Sequence, residues 1–331
     1  MLHDSIVDCI GGTPMVHLRR LFPTGPQVFA KLEMLNPAGS VKDRTAQHII
    51  ETGIREGLLH AGTHIVESTS GNFGVALAMM SRIHGLRLTL VVDPHITPSN
   101  LAILQSYGAQ VDMVDGSATG GSYLHARIAR VQDILTADPA AVWINQYANP
   151  LGPEAHYRST AEEIAKDLPS HPDYLVLAVS TTGTLNGLAH RLKEYSEGLQ
   201  VIAVDAVGSV VFGNPPGSRR LPGIGSSRVP ELLDESLIDR VVEVTDEESI
   251  AGCHDLLSKE AIFAGGSSGS IIAAIRKIVP SIRPASSIVT LFPDRGDRYI
   301  DLVYNVTPSE GLLAGTSAED SESRIGARAG S

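Results

Sequence analysis

The chain is poor in cysteine: Cys9 and Cys253 are the only two in 331 residues. They stand far apart and at no metal-ligand spacing, which excludes a disulfide framework and makes a reducing, cytoplasmic setting the expectation. Positive charge is also scarce. Against 37 Asp and Glu there are 26 Lys and Arg, a formal net charge of -11, so neither nucleic acid nor an anionic membrane surface is an expected partner. An anionic small molecule stays possible, since a pocket can be locally cationic. No apolar run approaches the ~18 residues of a spanning helix. No basic segment leading into an apolar one opens the chain, so neither a membrane span nor a signal peptide is expected. Repeats of solenoid period are absent. No G-x-G-x-x-G follows a first strand, no Walker lysine stands in a glycine loop, no G-x-S-x-G elbow occurs, and no His/Cys/Asp cluster falls at metal spacing. These gaps disfavour dinucleotide, P-loop, hydrolase-elbow and metal-centre chemistry.

What is present is an ordinary globular composition, 43% hydrophobic and 19% charged, with enough length for two domains. Short apolar strands alternate with helical patterns. Strands are predicted at Met15–Leu18, Val28–Glu33, His64–Glu67, Leu86–Val92, Val111–Val114, Tyr174–Val179, Val201–Asp205 and Ile288–Phe292. Helices are predicted from Val41, from Phe73 to Arg82, from Thr97 to Tyr107, from Tyr123 to Leu135, from Ser159 to Asp167, after Thr184, and over Ile250–Lys259 and Ser270–Ile278. The alternation predicts mainly parallel sheets covered by helices on both faces. Asn149–Pro153, rich in Pro and Gly, reads as a crossing between domains. The expected organisation is a first segment 1–38 of a large domain, a small substrate domain 39–148, the remainder of the large domain 149–308, and a disordered tail 309–331.

Polar loops stand at predicted strand ends, where open α/β sheets bind ligands. Gly39-Ser40-Val41-Lys42-Asp43-Arg44 feeds a helix for which Ser40 is the N-cap candidate. Ala46, Ile49, Ile50 and Ile54 mark its buried stripe, and Lys42 lies one turn back on that stripe. Burial and the helix dipole would lower the pKa of such a lysine and favour Schiff-base chemistry with a carbonyl cofactor, although a lysine at a helix start also commonly snorkels to water. Ser180 to Thr184 would aim backbone N–H groups and hydroxyls at one spot, suiting a phosphate dianion, or would be a plain hydroxyl-rich turn. Ser68 to Asn72 could cradle a carboxylate, or Asn72 could bond a cofactor. Gly265–Ser270 permits close backbone approach. Together these features fit pyridoxal phosphate better than a nucleotide.

The motifs in order resemble the cysteine synthase family of fold-type II pyridoxal-phosphate enzymes over about residues 5–305. They are Ile10-Gly11-Gly12-Thr13-Pro14, Lys31-Leu32-Glu33, Asn36 to Arg44, Thr69-Ser70-Gly71-Asn72, Asn145-Gln146, Ser180-Thr181-Thr182-Gly183-Thr184, Gly223-Ile224-Gly225 and Gly265 to Gly269. The resemblance implies two three-layer αβα domains with the cofactor in the cleft between them, and a homodimer. It implies that Lys42 binds the cofactor covalently, Asn72 meets its ring hydroxyl, Ser180, Thr181, Thr182, Gly183 and Thr184 hold its phosphate, and Ser267 faces its ring nitrogen. Thr69, Ser70 and Gln146 would bind the substrate α-carboxylate, with Gly223 also at the substrate. A serine at the ring nitrogen stabilises a pyridinium less than a carboxylate does, which favours β-elimination over transamination.

Val204–Gly213 and Pro293–Tyr299 depart from cysteine synthase wording and look like the 2,3-diaminopropionate branch used in siderophore and peptide-antibiotic pathways. That branch condenses O-phospho-L-serine with L-glutamate to N-(2-amino-2-carboxyethyl)-L-glutamate and phosphate. Lys42, once freed, would take the Cα proton; phosphate would leave Cβ and the glutamate amine would add there. A phosphate leaving group calls for an extra cation. Arg127 is the candidate, with Tyr147 and Ser180 beside it. Rival readings are a cysteine synthase using O-acetylserine or O-phosphoserine with sulfide, a threonine synthase or dehydratase relative, and a catalytically silent binding or regulatory protein.

Overall fold

The computed structural model describes residues 2–115 and 123–305. Residues 116–121, a stretch of small residues that reads as a loop, and the tail from 309 lie outside the described residues. Strands β1 (Met15–His17), β2 (Gln27–Lys31), β7 (Tyr174–Ala178), β8 (Gln200–Ala206), β9 (Arg240–Val244) and β10 (Ser287–Leu291) form one six-stranded sheet in the order β1-β2-β10-β7-β8-β9. Only the β1–β2 pair is antiparallel. Strands β3 (His64–Ser68), β4 (Arg87–Val92), β5 (Gln110–Met113) and β6 (Val142–Trp143) form a parallel four-stranded sheet in the order β5-β4-β3-β6.

Strand alternation explains the layering. In the larger sheet Val176, Ile202, Val204 and Ile288 pack on one face against Leu256 of α8 (Asp246–Glu260) and Ile271 and Ile275 of α9 (Gly266–Ile278). Their neighbours Leu175, Leu177, Val201 and Val289 point the other way, onto Ile164 of α6 (Ala161–Asp167) and Leu185 and Leu188 of α7 (Gly183–Tyr195). Both faces are apolar, so the strands read as continuous hydrophobic runs. The smaller sheet repeats the plan. Ile65, Leu88 and Leu90 pack with Ile49 and Ile50 of α1 (Lys42–Arg55), Leu77 of α2 (Asn72–His84) and Leu104 of α3 (Pro98–Ser106), while Val66 and Val91 pack on Val131 of α4 (Tyr123–Ala137).

Asn149–Pro153 lies between β6 of the smaller sheet and the helices that lead to β7 of the larger one; Pro150 is the N-cap of α5 (Leu151–Ala155), and helical turns continue from there through α6. The N–H groups of a first helical turn have no intrahelical partner, so a proline there removes nothing. Strand β9 has no counterpart among the sequence expectations, because Arg240, Val241 and Glu243 are exposed on an edge and leave only Val242 and Val244 buried. Among the described residues no helix is long and apolar enough to cross a membrane.

Candidate active site

The carboxyl ends of β3, β6, β7 and β10 open onto one cavity of about 230 Å³. Lys42, Thr69, Ser70, Asn72, Arg127, Gln146, Tyr147, Ser180, Thr181, Thr182, Thr184, Gly223 and Ser267 all line it, so residues from 42 to 267 converge as the crevice rule expects. Gly183 is the one predicted site residue outside that lining. It opens α7 and packs against Gly152 and Pro153, beside a smaller pocket that Lys42 also borders.

Lys42 is the first residue of α1. The predicted cap is shifted by one residue: Val41, already in the right-handed region, is the N-cap, and Ser40 Oγ accepts the Lys42 N–H at 3.2 Å. The reason is external. Val41 N–H is tied to Pro293 O at 2.8 Å, which fixes its backbone before the helix begins. Burial lowers the Lys42 pKa to about 8, against the opposing charge of Asp294. The shift brings the neutral amine within easier reach near neutral pH, which is what a nucleophilic or basic lysine requires.

The loop Ser180–Thr184 is held open by its own geometry. Thr182, the N-cap of α7, sits at φ 62°, an unfavourable conformation for a β-branched residue. Its buried Oγ1 has no hydrogen-bond partner. Such strain concentrates where a ligand is gripped. Ser180 Oγ donates to Gly225 O at 3.0 Å. Thr184 Oγ1 meets His156 Nε2 at 3.2 Å, and burial depresses the pKa of that imidazole well below its ordinary value. A neutral histidine under the loop leaves the N-terminus of α7 as its source of positive potential.

Opposite lie Thr69 and Ser70, leading into α2, whose N-cap Gly71 provides no side-chain cap. Its first N–H groups therefore have no side-chain acceptor at the cap. Gln146 comes from the end of β6, just after Asn145 at φ 52°. Glu67 links the two sides: it accepts from Ser68 N–H at 2.7 Å, from Gln146 N–H at 3.2 Å and from Trp143 Nε1 at 3.4 Å. Burial pushes its pKa up to about 7. Arg127 faces the cavity from α4, with Nε 3.4 Å from Asp93 Oδ2, so it is not the solvent-directed charge that a helix arginine usually is. Across Tyr147, the Arg228 guanidinium lies 4.9 Å from the ring centroid.

Asp294, Arg298 and Tyr299 were unassigned by the sequence. Asp294 lines the cavity and accepts from Asn72 Nδ2 at 2.6 Å and from the Tyr299 hydroxyl; Arg298 donates to Asn72 Oδ1. The signal that could have found them is the polar run after β10, the same stretch that departs from cysteine synthase wording.

The residues of this wall fit pyridoxal phosphate. A desolvated lysine, a strained hydroxyl loop at a helix N-terminus and Asn72 line one cavity, and Ser267, 3% exposed, lines it from α9. Among the described residues no group of three or more His, Cys, Asp or Glu could hold a metal.

The profile of a family described as pyridoxal-phosphate dependent enzyme matches residues 6–294. The chain is similar to an O-acetylserine dependent cystathionine beta-synthase from Helicobacter pylori, with 32% identity, TM-score 0.85, and coverage of 92% of this chain and 99% of that one. It is similar to an O-ureido-L-serine synthase at 30% identity and TM-score 0.84, covering 97% and 98% of the two chains. A cysteine synthase from Entamoeba histolytica matches at 28% identity and TM-score 0.88, covering 96% and 97%.

Proposed function

This chain belongs to the pyridoxal-phosphate dependent enzyme family and is a β-replacement enzyme of cysteine synthase type, and we propose that it joins O-phospho-L-serine to L-glutamate, giving N-(2-amino-2-carboxyethyl)-L-glutamate and phosphate. The product is a precursor of L-2,3-diaminopropionate for a siderophore or peptide antibiotic, and the enzyme works as a homodimer with a small substrate domain over residues 39–148. The observation that carries the donor assignment is Arg127. Its guanidinium lines the cavity next to Tyr147, where an acetate leaving group would need no cation but a phosphate dianion would.

In this reading the chain divides the work as follows. Ser180 to Thr184 hold the cofactor phosphate at the head of α7, Asn72 meets the ring hydroxyl and Ser267 the ring nitrogen. Bound there, pyridoxal phosphate supplies a carbonyl for the substrate amine and a ring that withdraws electrons from Cα. Thr69, Ser70 and Gln146 orient the substrate carboxylate, and Gly223 leaves room beside it with φ 90°. Lys42 Nζ takes the Cα proton and returns it after the acceptor amine has added to Cβ. Arg127, aided by Tyr147 and Ser180, balances the charge of the departing phosphate. Arg228 adds a cation over the Tyr147 ring.

A second reading is supported by the relatives: a sulfide acceptor with O-acetylserine or O-phosphoserine as donor. The holoenzyme is offered each donor with each of glutamate and sulfide, and products are read by mass spectrometry. Efficient turnover only with O-acetylserine and sulfide would replace the present reading. A protein that bound the cofactor and turned over neither donor would point to a silent binding role.

A further inference from the structure

We propose that Asp294 is a positioning residue of the cofactor site, which fixes the rotamer of Asn72 and supplies the counter-charge to the Lys42 nitrogen. The inference rests on family membership and on this chain's own hydrogen bonds, not on the identity of donor or acceptor.

Asp294 follows β10, the strand between β2 and β7 in the larger sheet. Its backbone is pinned from two sides. It forms an antiparallel bridge with Ser40, two residues before Lys42, and its carbonyl accepts the Gly265 N–H at 2.9 Å, two residues before Ser267. Its side chain therefore has a fixed place between the lysine turn and the head of α9. The space there is tight: a Cβ on Gly265 would lie 2.0 Å from Asp294 Oδ1. Hence residue 265 must be glycine if the carboxylate is to face the cavity.

The carboxylate acts on Asn72 through one oxygen. Oδ2 accepts the Asn72 amide at 2.6 Å, while Arg298 donates to Asn72 Oδ1 and, at 2.6 Å, to Ala38 O. An amide gripped as donor by an anion and as acceptor by a cation cannot flip. One Asn72 N–H remains, and its direction is set before any ligand arrives. Asp294 Oδ1 has no hydrogen-bond partner although the residue is 1% exposed. An unpartnered oxygen of a buried carboxylate is costly unless a cation faces it. Lys42 lines the same cavity, and Asp294 raises its pKa against the larger effect of burial, while burial pushes the Asp294 carboxyl itself above its usual range. The other ionisable groups near the carboxylate are Arg298, which favours the anion, Asp297, which opposes it, and Tyr299, Cys253 and Tyr304.

The test is a pair of variants read by visible absorption of the holoenzyme against pH. The midpoint of the cofactor band reports the proton held at the lysine linkage. Asp294→Asn is nearly isosteric and removes the negative charge, so the midpoint falls by about one unit or more. Arg298→Gln removes a cation from the same cluster and moves the midpoint upward. A purely structural role would lower cofactor occupancy or thermal stability without opposite displacements. The same comparison is made on cofactor-free protein, by the pH dependence of Lys42 labelling with an amine reagent, so that poor cofactor binding by a variant does not blunt the result. Folded variants whose midpoints stay at the wild-type value, or move in the same direction, overturn the proposal.

Discussion

Arg44 holds Glu33 with two parallel hydrogen bonds, Nε to Oε2 at 2.7 Å and Nη2 to Oε1 at 2.8 Å, in a place where the arginine is 3% and the glutamate 0% exposed. The same guanidinium grips Glu163 at 2.6 and 2.7 Å, and Lys31 Nζ reaches Glu163 at 2.9 Å. Arg44 is two residues beyond Lys42 on α1. The buried pair thus ties the lysine-bearing helix to the segment after β2 and to α6. Burial alone would raise the Glu163 carboxyl, but the bonds and charge of Arg44 outweigh it and hold the pKa at about 2.

Removing the arginine should therefore be far worse than losing a surface ion pair. Arg44→Met leaves Glu33 buried and uncompensated, and the expected loss is about 3–5 kcal/mol, read by urea unfolding. Arg44→Lys keeps the charge but not the fork and should fall between. A methionine variant as stable as the wild type would show that the pair does not anchor the helix.

Lys42→Ala tests the centre of the site. Loss of the base and of the covalent tether should cut turnover by at least about 10²–10⁴-fold, with the cofactor then removable by dialysis. Borohydride, which fixes the wild-type adduct, should leave the variant unlabelled. Wild-type turnover by the alanine protein would remove the lysine from the mechanism.

The legible parts of this site were those carried by local chemistry. Lys42 lay on an apolar stripe at 3.6 spacing, and Ser180–Thr184 combined hydroxyls with a strand-to-helix junction. Asp294 was illegible because its meaning depends on Asn72, 222 residues away. Glu67 looked like an ordinary residue of a short strand, and only the return of β6 beside β3 makes it the acceptor shared by Ser68 and Gln146.

Arg127→Ala separates the donors. A hydrogen bond to a charged group contributes about 1.5–3 kcal/mol, so kcat/KM for O-phosphoserine should fall about 10–100-fold, while O-acetylserine, whose leaving group is less charged, should change by much less. Steady-state kinetics with both donors decides this. Near wild-type use of O-phosphoserine would end the assignment of Arg127.

Arg228 bears on the acceptor. Its partner Glu231 is exposed, with 52% of the side chain accessible, and such a pair contributes only about 0–1 kcal/mol. The guanidinium is therefore available to a ligand carboxylate at little cost. In Arg228→Gln the KM for glutamate should rise about 10-fold or more, with phosphate release from the donor alone unchanged. An equal effect on sulfide and glutamate would mean that the arginine only supports the Tyr147 ring.

Acid sensitivity should trace to His156. The imidazole is buried among hydroxyls, with Nε2 at 3.2 Å from both Thr45 Oγ1 and Thr184 Oγ1 and Nδ1 at 2.9 Å from Thr160 Oγ1. Burial, then the charges of Lys42 and Arg44, keep it neutral. Its folded pKa is depressed, so the unfolded chain binds a proton that the folded chain refuses. The stability it contributes is complete above the ordinary imidazole value of about 6.5 and is lost as pH falls below it, by up to about 1.4 kcal/mol per pH unit. His156→Gln retains a donor and an acceptor for the threonines but cannot titrate. The variant should start less stable at about pH 7 and lose less between there and about pH 5. Parallel stability curves for the two proteins over that range would place the acid sensitivity elsewhere. A flatter curve for the variant would show that the Ser180–Thr184 loop rests on an imidazole kept uncharged.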